Sequence, residues 1–235
     1  MNILITGASK GIGFELTKIF AENKHNVITL SRNVESLINQ AFVNLANNAG
    51  QLYSIPFDLS KLEGNEQGLY DKIISAVDHI DIVINNAGEV LRKPFEEITN
   101  TEMHDIFEIN FFAPAKLIQI LLPLLESAKQ AHVVNISSIG GVMGSQKFNG
   151  LSMYSSSKAA LQCLTECLAE EFKSKSISFN CLAFGAVQTD MLNRAFPGYK
   201  APVKPDEMAK FVYEFALNGN KFFNGKILPV SLSTP

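Results

Sequence analysis

Short apolar runs alternate along the chain with longer stretches in which apolar residues recur every three or four positions. The short runs are nearly continuous in apolar residues, as is typical of strands that helices cover on both faces. They predict strands at 2–6, 26–30, 51–57, 81–85, 132–136, 176–183 and 226–230. The longer stretches predict helices at about 11–23, 34–48, 60–78, 97–126, 152–175 and 206–217.

The repeated order of strand and helix predicts an α/β fold. We expect a Rossmann-like, doubly wound, seven-stranded, mainly parallel sheet with helices on both faces, and a single domain over 1–235. Pro114 and Pro123 are expected to kink or shorten the fourth helix. The least regular segment, 185–205, is rich in Pro and Gly and is a candidate substrate loop. The alternative is an irregular surface loop.

A glycine-rich turn, TGASKGIG at 6–13, joins the first strand to the first helix. Glycine lets the backbone approach a pyrophosphate, and a helix N-terminus offers free N–H groups and the positive end of its dipole. The turn predicts a phosphate site formed by Gly7, Ser9, Lys10, Gly11, Ile12 and Gly13. Its spacing is G-x-x-x-G-x-G rather than G-x-G-x-x-G, so a turn with a purely structural role is the alternative.

The end of the second strand, ITLSRN, bears on the choice of cofactor. It lacks the acidic residue that binds the adenosine ribose hydroxyls in many NAD sites. Ser31 and Arg32 lie there instead, and Arg32 together with Lys10 can pair with a ribose 2′-phosphate. We therefore expect NADP(H), with NAD(H) less favoured. The alternative is that both cations are ordinary solvated surface residues.

The charge balance gives no sign of a nucleic acid or membrane partner. The 235 residues carry a net charge of −3, with acidic and basic residues interspersed. The longest apolar segment, 111–125, is short for a membrane span and contains Lys116 and two prolines. With no secretion signal before the glycine turn, we expect a cytoplasmic protein that binds neither nucleic acid nor a membrane.

Cysteine and histidine spacing predicts no metal site. Cys163, Cys167 and Cys181 form no C-x-x-C pair and are expected to be buried free thiols. The histidines at 25, 79, 104 and 132 are scattered, and we expect each on the surface or in a loop.

Candidate reaction chemistry lies in two later segments. NISSIGG at 135–141 places Ser137 and Ser138 at the carboxyl end of a strand, where open α/β sheets bind ligands. YSSSK at 154–158 places Tyr154 and Lys158 on one face of a helix. An ammonium about 5 Å from the phenol favours the phenolate by about 3 kcal/mol, so we expect the pKa of Tyr154 to be about two units low. Any helix can hold such a pair by chance, so a structural role is the alternative.

Taken together, these segments resemble the short-chain dehydrogenase/reductase family over nearly the whole chain. The motifs follow the family's order: TGASKGIG at 6–13, DLS at 58–60, NNAG at 85–88, Asn110 in FEINFFAP, Ser138, YSSSK at 154–158 and GAVQT at 185–189. The resemblance implies that Tyr154 is the general acid/base, that Ser138 hydrogen-bonds the substrate oxygen and that Lys158 holds the nicotinamide ribose. It also implies that Asn110 supports a water-linked proton relay.

The resemblance further implies which residues surround the cofactor. Asp58 and Leu59 are expected beside the adenine. The NNAG backbone, with Asn86, Ala87 and Gly88, and Thr189 are expected around the ribose and carboxamide. Gly185 and Val187 are further expected cofactor-binding residues. As alternatives, Asp58 and Thr189 are helix caps, and Asn85 and Asn86 are turn formers.

The chain departs from the family pattern on its substrate side and at its last strand. Phe184 stands where the family usually has proline, the segment between Ser138 and Tyr154 is a few residues longer than in common members, and no Gly-Gly follows the last strand. Apolar candidates for the pocket are Val90, Leu91, Val142, Met143, Phe148, Phe184, Met191, Phe196 and Tyr199. We expect a homodimer through the fourth and fifth helices, or a homotetramer.

These features predict an NADP(H)-dependent oxidoreductase that transfers a hydride between nicotinamide and the carbonyl or alcohol of a mainly apolar small molecule. The alternative is a non-enzymatic NADP(H)-binding sensor or interaction protein on the same fold. The joint presence of Asn110, Ser138, Tyr154 and Lys158 favours the enzyme.

Overall fold

A computed structural model describes residues 1–34 and 50–235 of the chain. The described residues form one seven-stranded sheet in the order β3-β2-β1-β4-β5-β6-β7. Its strands are β1 (Asn2–Thr6), β2 (Asn26–Ser31), β3 (Leu52–Pro56), β4 (Ile82–Asn85), β5 (Ala131–Ser138), β6 (Ile177–Phe184) and β7 (Lys226–Val230).

All neighbouring strands of this sheet are parallel. In the register, Ile3 of β1 lies between Val27 of β2 and Ile82 of β4. The strand order reverses at β1 and β4, which is the switch point at which doubly wound sheets bind ligands. The predicted Rossmann-like fold class is therefore confirmed.

Helices connect the strands on both faces of the sheet. They are α1 (Gly11–Glu22), α2 (Glu66–Ile74), α3 (Asn100–Phe107), α4 (Ala113–Glu126), α5 (Ser152–Glu171), α6 (Asp190–Ala195) and α7 (Pro205–Asn218), with a π-helical turn at Glu108–Phe112 between α3 and α4. The helix predicted at 34–48 lies, except for Val34, outside the described residues.

The structure divides the long fourth predicted helix into α3, the π-helical turn and α4. Pro114 lies in the first turn of α4, where its missing N–H is not needed, and Pro123 lies inside the helix. By length and hydropathy the continuous stretch Asn100–Glu126 could cross a membrane. However, α4 buries Leu117, Leu121 and Leu125 completely against the sheet, as a core helix does.

Alternating side chains of each central strand enter two separate apolar cores. Ile3 and Ile5 of β1 pack with α1 and α7, whereas Leu4 between them packs with α2 and α4. Such burial on both faces explains why the strands are read as continuous apolar runs.

Two expectations about buried residues are wrong. His132 of β5 is only 1% exposed, because its ring is paired on both sides: Nδ1 lies 2.9 Å from the Ala216 carbonyl and Nε2 lies 3.0 Å from Asn180 Nδ2. Cys163 and Cys167 are exposed, and only Cys181 of the three thiols is buried. The two exposed thiols lie on the solvent-exposed face of α5, and residue type alone does not show which face of a helix is exposed.

Candidate active site

A cavity of about 1140 Å³ opens at the carboxyl ends of the parallel strands. It extends from the glycine turn after β1, past the ends of β2 to β6, to α6 and α5. This is the place in a doubly wound sheet where the strand order predicts a ligand.

The glycine turn leaves its helix open to an anion. Gly7 and Gly11 have φ values of +67° and +60°, a left-handed backbone that favours glycine. Lys10 precedes the first turn of α1 with no side-chain hydrogen bond to the helix, and no acidic residue lies in that turn. The free N–H groups at this helix start therefore fit the phosphates of a dinucleotide.

Gly13 has a different task from the other two glycines. A Cβ atom at Gly13 would lie 2.4 Å from the Gly7 carbonyl oxygen and 2.6 Å from Asn86 Nδ2. In the described part of the chain, Gly13 does not contribute to the cavity wall. It supports the turn by close packing, because only a residue without a side chain fits between these two groups.

Asn86 ties the end of β4 to the glycine turn. Its Nδ2 donates to the carbonyl oxygens of Thr6 at 3.0 Å and Gly7 at 3.2 Å, and its backbone N–H donates to Thr6 Oγ1 at 3.1 Å. Asn86, Ala87 and Gly88 all line the cavity. The motif NNAG thus forms one wall and also holds the turn in place.

The ends of β2 and β3 form the far end of the cavity, where Ser31, Arg32, Asp58 and Leu59 lie. Arg32 is exposed. Asp58 accepts hydrogen bonds from the backbone N–H and the hydroxyl of Ser60, at 3.1 and 2.8 Å. It therefore caps the short helical turn Leu59–Lys61 while also facing the cavity.

Gly185, Val187 and Thr189 lie on the opposite side of the cavity, after β6. Thr189 Oγ1 accepts a hydrogen bond from Leu192 N, so Thr189 caps α6. This is the helix-cap role given above as the alternative for Thr189. A Cβ at Gly185 would lie 2.0 Å from Ser231 Oγ, because the segment after β7 packs directly on this glycine. Thr234 and Pro235 of the same segment line the cavity.

Ser138, Tyr154 and Lys158 meet at one wall of the cavity. Ser138 ends β5, and its Oγ accepts from Gly140 N at 3.2 Å. Its side chain also lies near Tyr154 of α5 and lowers the pKa of that phenol. One turn later on α5, the buried Lys158 donates from Nζ to the Ile136 carbonyl at 3.0 Å. The structure therefore brings together three of the four predicted catalytic residues.

The electrostatics of Tyr154 differ from the expectation. Burial raises the pKa of Tyr154 above its ordinary value, and the neighbouring Ser138 side chain offsets only part of this rise. Burial also lowers the pKa of Lys158 to about 8, with Cys181 acting in the opposite direction. The predicted low pKa of Tyr154 is thus wrong for the chain by itself, because the pair arithmetic left out the desolvation of the phenol.

Asn110 lies behind the cavity wall and is not part of its surface in the described chain. Its fully buried side chain sits in the π-helical turn, accepts from Glu89 N at 2.9 Å and donates to the Glu89 carbonyl and Ser157 Oγ, both at 3.0 Å. Ser157 Oγ in turn donates to the Tyr154 carbonyl at 2.8 Å. Asn110 thus links the segment after β4 to the helix that carries Tyr154.

Apart from Gly13, all the predicted cofactor-binding residues line the cavity. They are Gly7, Ser9, Lys10, Gly11, Ile12, Ser31, Arg32, Asp58, Leu59, Asn86, Ala87, Gly88, Tyr154, Lys158, Gly185, Val187 and Thr189. Among the apolar candidates, Val90, Leu91, Phe148, Phe184, Met191 and Phe196 also line it. Val142, Met143 and Tyr199 do not, within the described chain; Met143 is 89% exposed, and Tyr199 hydrogen-bonds Ser233 and Thr234.

Sequence reasoning missed an ion pair in the cavity wall and a short helix. Glu89, directly after NNAG, pairs with Arg194 of α6 across 2.7 Å, and both residues line the cavity. Lys10 pairs with Asp190, at the start of α6, at 3.0 Å. The acidic residue at the start and the basic residue at the end of DMLNRA, at 190–195, were a signal for α6 that the irregular composition around it obscured.

Among the described residues no three His, Cys, Asp or Glu side chains cluster as a metal site would require.

Comparison with known proteins decides the family. A family model described as short chain dehydrogenase matches residues 1–200. The chain belongs to the short-chain dehydrogenase/reductase family. Its oxidoreductase class and its fold follow from that membership, and the resemblance found in the motifs is confirmed.

Relatives of this short-chain dehydrogenase/reductase differ in substrate and cofactor. A fatty acyl-CoA reductase from Acinetobacter baylyi is 32% identical over 213 residues, which cover 89% of this chain and 70% of that protein. A 7α-hydroxysteroid dehydrogenase complexed with NADH and 7-oxo glycochenodeoxycholic acid has a TM-score of 0.86 at 27% identity, covering 97% of this chain and 92% of that one. The structure of ElxO with NADP bound has a TM-score of 0.84 at 27% identity, covering 98% and 96%. These two structures hold different nicotinamide cofactors, so the comparison does not select one.

Proposed function

We propose that the protein is an NADP(H)-dependent oxidoreductase that interconverts a carbonyl and an alcohol on a mainly apolar small molecule. The observation that carries this proposal is the convergence of Ser138, Tyr154 and Lys158 on the cavity that also contains the open N-terminus of α1. One end of the cavity fits phosphates, and the other end supplies a proton donor.

The chain's own groups handle the proton and the substrate oxygen. In the reducing direction Tyr154 donates its phenolic proton to the carbonyl oxygen, while the Ser138 hydroxyl hydrogen-bonds that oxygen. A nicotinamide cofactor, when bound, supplies the hydride for the carbonyl carbon. Hydride and proton together convert the carbonyl to the alcohol.

Lys158 stabilises the phenolate that Tyr154 leaves behind and holds the nicotinamide ribose. With a pKa of about 8, Lys158 is largely protonated at neutral pH, and its charge lies one helical turn from the phenol. Asn110 fixes the segment at Glu89 and, through Ser157, the backbone of Tyr154. It positions the catalytic helix and supports the water-linked proton relay.

NADP(H) is the proposed cofactor because Arg32 stands exposed at the end of β2, where an acidic residue would favour NAD(H). Lys10 is the second candidate partner of the 2′-phosphate, and it must exchange its exposed ion pair with Asp190 for this contact. Measured dissociation constants for NADPH and NADH test the proposal in the wild type and in Arg32→Asp. Equal values in the wild type refute it.

The substrate side supports an apolar compound. Val90, Leu91, Phe148, Met191 and Phe196 line it, next to the polar pair Ser138 and Tyr154. The names of two similar proteins, a fatty acyl-CoA reductase and a steroid dehydrogenase, fit the same class of substrate. The segment 185–205 is the proposed substrate loop, within a single domain over 1–235.

We further propose a cytoplasmic homodimer or homotetramer that binds neither nucleic acid nor a membrane. The net charge of −3 argues against a nucleic acid or anionic membrane partner, and the exposed Phe112 beside α4 supports an interface between subunits. Light scattering after gel filtration measures the assembly state, and a monomer contradicts this part.

The decisive experiment is a panel of aldehydes, ketones and quinones, assayed with NADPH by absorbance of the nicotinamide. We expect turnover in the wild type and none in Tyr154→Phe, whose cofactor affinity stays within severalfold. Wild-type rates in Tyr154→Phe refute the assignment. Inertness of the wild type towards the whole panel, with tight NADPH binding, favours the non-enzymatic alternative.

A further inference from the structure

The ion pair between Glu89 and Arg194 joins two walls of the cavity that are far apart in sequence. Arg194 Nη2 lies 2.7 Å from Glu89 Oε1, and both side chains line the cavity. Glu89 belongs to the segment after β4, and Arg194 belongs to α6 in the segment after β6. The pair therefore connects the segment beside the nicotinamide end to the segment proposed to hold the substrate.

The two ends of this pair are held with different firmness. The backbone N–H and carbonyl of Glu89 both bond to the buried amide of Asn110, and Glu89 Oε1 also accepts from Val90 N at 3.1 Å. Glu89 is thus an anchored carboxylate. Arg194 is 57% exposed and lies on a helix of only six residues.

The helix α6 carries much of the apolar wall. Met191, Leu192, Ala195 and Phe196 of this segment line the cavity. Their positions relative to Tyr154 depend on what holds α6 to the rest of the protein. The Glu89 pair holds Arg194, in the last turn of α6.

A second contact from the Glu89 side reaches the same end of α6. Arg92 donates from Nη1 to the Ala195 carbonyl, and its guanidinium lies 4.5 Å from the centroid of the Phe196 ring. Phe196 packs edge-on against Phe148, with centroids 5.9 Å apart. Glu89 and Arg92 thus contact the end of α6 and the following Phe196 through one ion pair, one hydrogen bond and one cation–π contact.

Resting on the proposed function, we propose that Glu89 and Arg194 are a positioning pair that selects long apolar carbonyl substrates. The pair holds Met191 and Phe196 against the outer part of a long substrate. A short carbonyl compound contacts only the inner residues near Ser138 and Tyr154. Neither member takes part in the chemistry.

The test compares a short and a long aliphatic aldehyde in Glu89→Gln, in Arg194→Gln and in the charge-swapped double variant Glu89→Arg with Arg194→Glu. Because an exposed ion pair changes an equilibrium by up to about fivefold, we expect each single variant to raise KM for the long aldehyde by about two- to fivefold. KM for the short aldehyde stays unchanged, and kcat does not fall in proportion. The double variant restores most of the preference.

Glu126→Gln is the matched control. It breaks the exposed pair between Glu126 and Lys175, 3.4 Å apart and outside the cavity, and is expected to leave both KM values unchanged. An unchanged ratio of long to short KM in both single variants overturns the proposal. Failure of the double variant to restore the ratio also overturns it.

Amide hydrogen exchange at residues 190–196 separates this proposal from the proposed function. We expect faster exchange in Glu89→Gln than in the wild type, and recovery in the double variant. This result supports a role of the pair in fixing α6, whether or not the panel shows turnover. Absence of turnover counts against the enzymatic function alone. Equal exchange in wild type and Glu89→Gln overturns the pair.

Discussion

Lys158 is expected to destabilise the folded protein. Its ammonium is buried beside the cavity, and burial lowers its pKa from 10.5 to about 8. At about 1.36 kcal/mol per pH unit, this lowering corresponds to about 3 kcal/mol of cost for keeping the charge in the folded protein. The hydrogen bond from Nζ to Ile136, 3.0 Å long, returns about 1 kcal/mol.

Lys158→Met removes both terms and keeps a flexible apolar side chain of similar length. We therefore expect the variant to have a free energy of unfolding about 2 kcal/mol higher than the wild type at pH 7. Turnover should be lost, because the charge beside Tyr154 is gone. The active-site lysine would thus trade stability for catalysis.

The sign of the pH dependence follows from linkage. Between pH 8 and 10.5 the unfolded chain keeps the Lys158 proton while the folded protein loses it, so the cost of the buried charge falls as the pH rises. Urea unfolding at pH 7, 8.5 and 10 measures the difference between variant and wild type, which should shrink across this range. Lys18→Met, at an exposed position of α1, is the control and should show no such trend. A Lys158→Met protein that is less stable than the wild type at pH 7, or a difference independent of pH, refutes the reasoning.

Three further outcomes are expected. Burial lowers the pKa of His132 from 6.5 to about 4, so only the unfolded chain gains this proton as the pH falls from 6.5 to 4, and the protein should lose about 3 kcal/mol of stability. In urea unfolding across this pH range, His132→Gln should reduce the loss, whereas the control His104→Gln, at an exposed site, should not. Gly185→Ala should cost about 1–3 kcal/mol and lower kcat/KM, because its methyl would lie 2.0 Å from Ser231 Oγ; Gly68→Ala in α2, where a Cβ meets nothing within 4 Å, should instead be neutral or slightly stabilising, and equal thermal shifts in the two variants would contradict the packing argument. Tyr199→Phe should lose about 1 kcal/mol and raise KM severalfold, because it removes the hydrogen bonds to Ser233 and to Thr234, which lines the cavity. Unchanged kinetics would show that this segment does not shape the site.

The parts of the molecule that the sequence predicted well are those that a short stretch of residues determines. The strands of the sheet carry continuous apolar runs because both faces are covered, and their predicted bounds agree with the structure to within two residues. The glycine turn is similarly local, since the positive φ values of Gly7 and Gly11 require glycine. Tyr154 and Lys158 share a helix face by their spacing alone.

The misses depend on contacts between distant segments. The burial of His132 rests on Asn180 and Ala216, which lie 48 and 84 residues away. The pairing of Glu89 with Arg194 spans 105 residues. The pKa of Tyr154 depends on how deeply the whole fold encloses the phenol, which a pairwise estimate with Lys158 cannot include.

The open start of α1 shows how the proposed phosphate site would limit the choice of residue 10. Most helices begin with Ser, Thr, Asp or Asn, whose oxygen would occupy the free N–H groups and contribute about 0.5–2 kcal/mol. Lys10 makes no such bond. A self-capping residue would stabilise the protein without cofactor and would compete with the proposed dinucleotide for the same donors. Affinity for that cofactor and intrinsic helix stability would then favour different residues at this position.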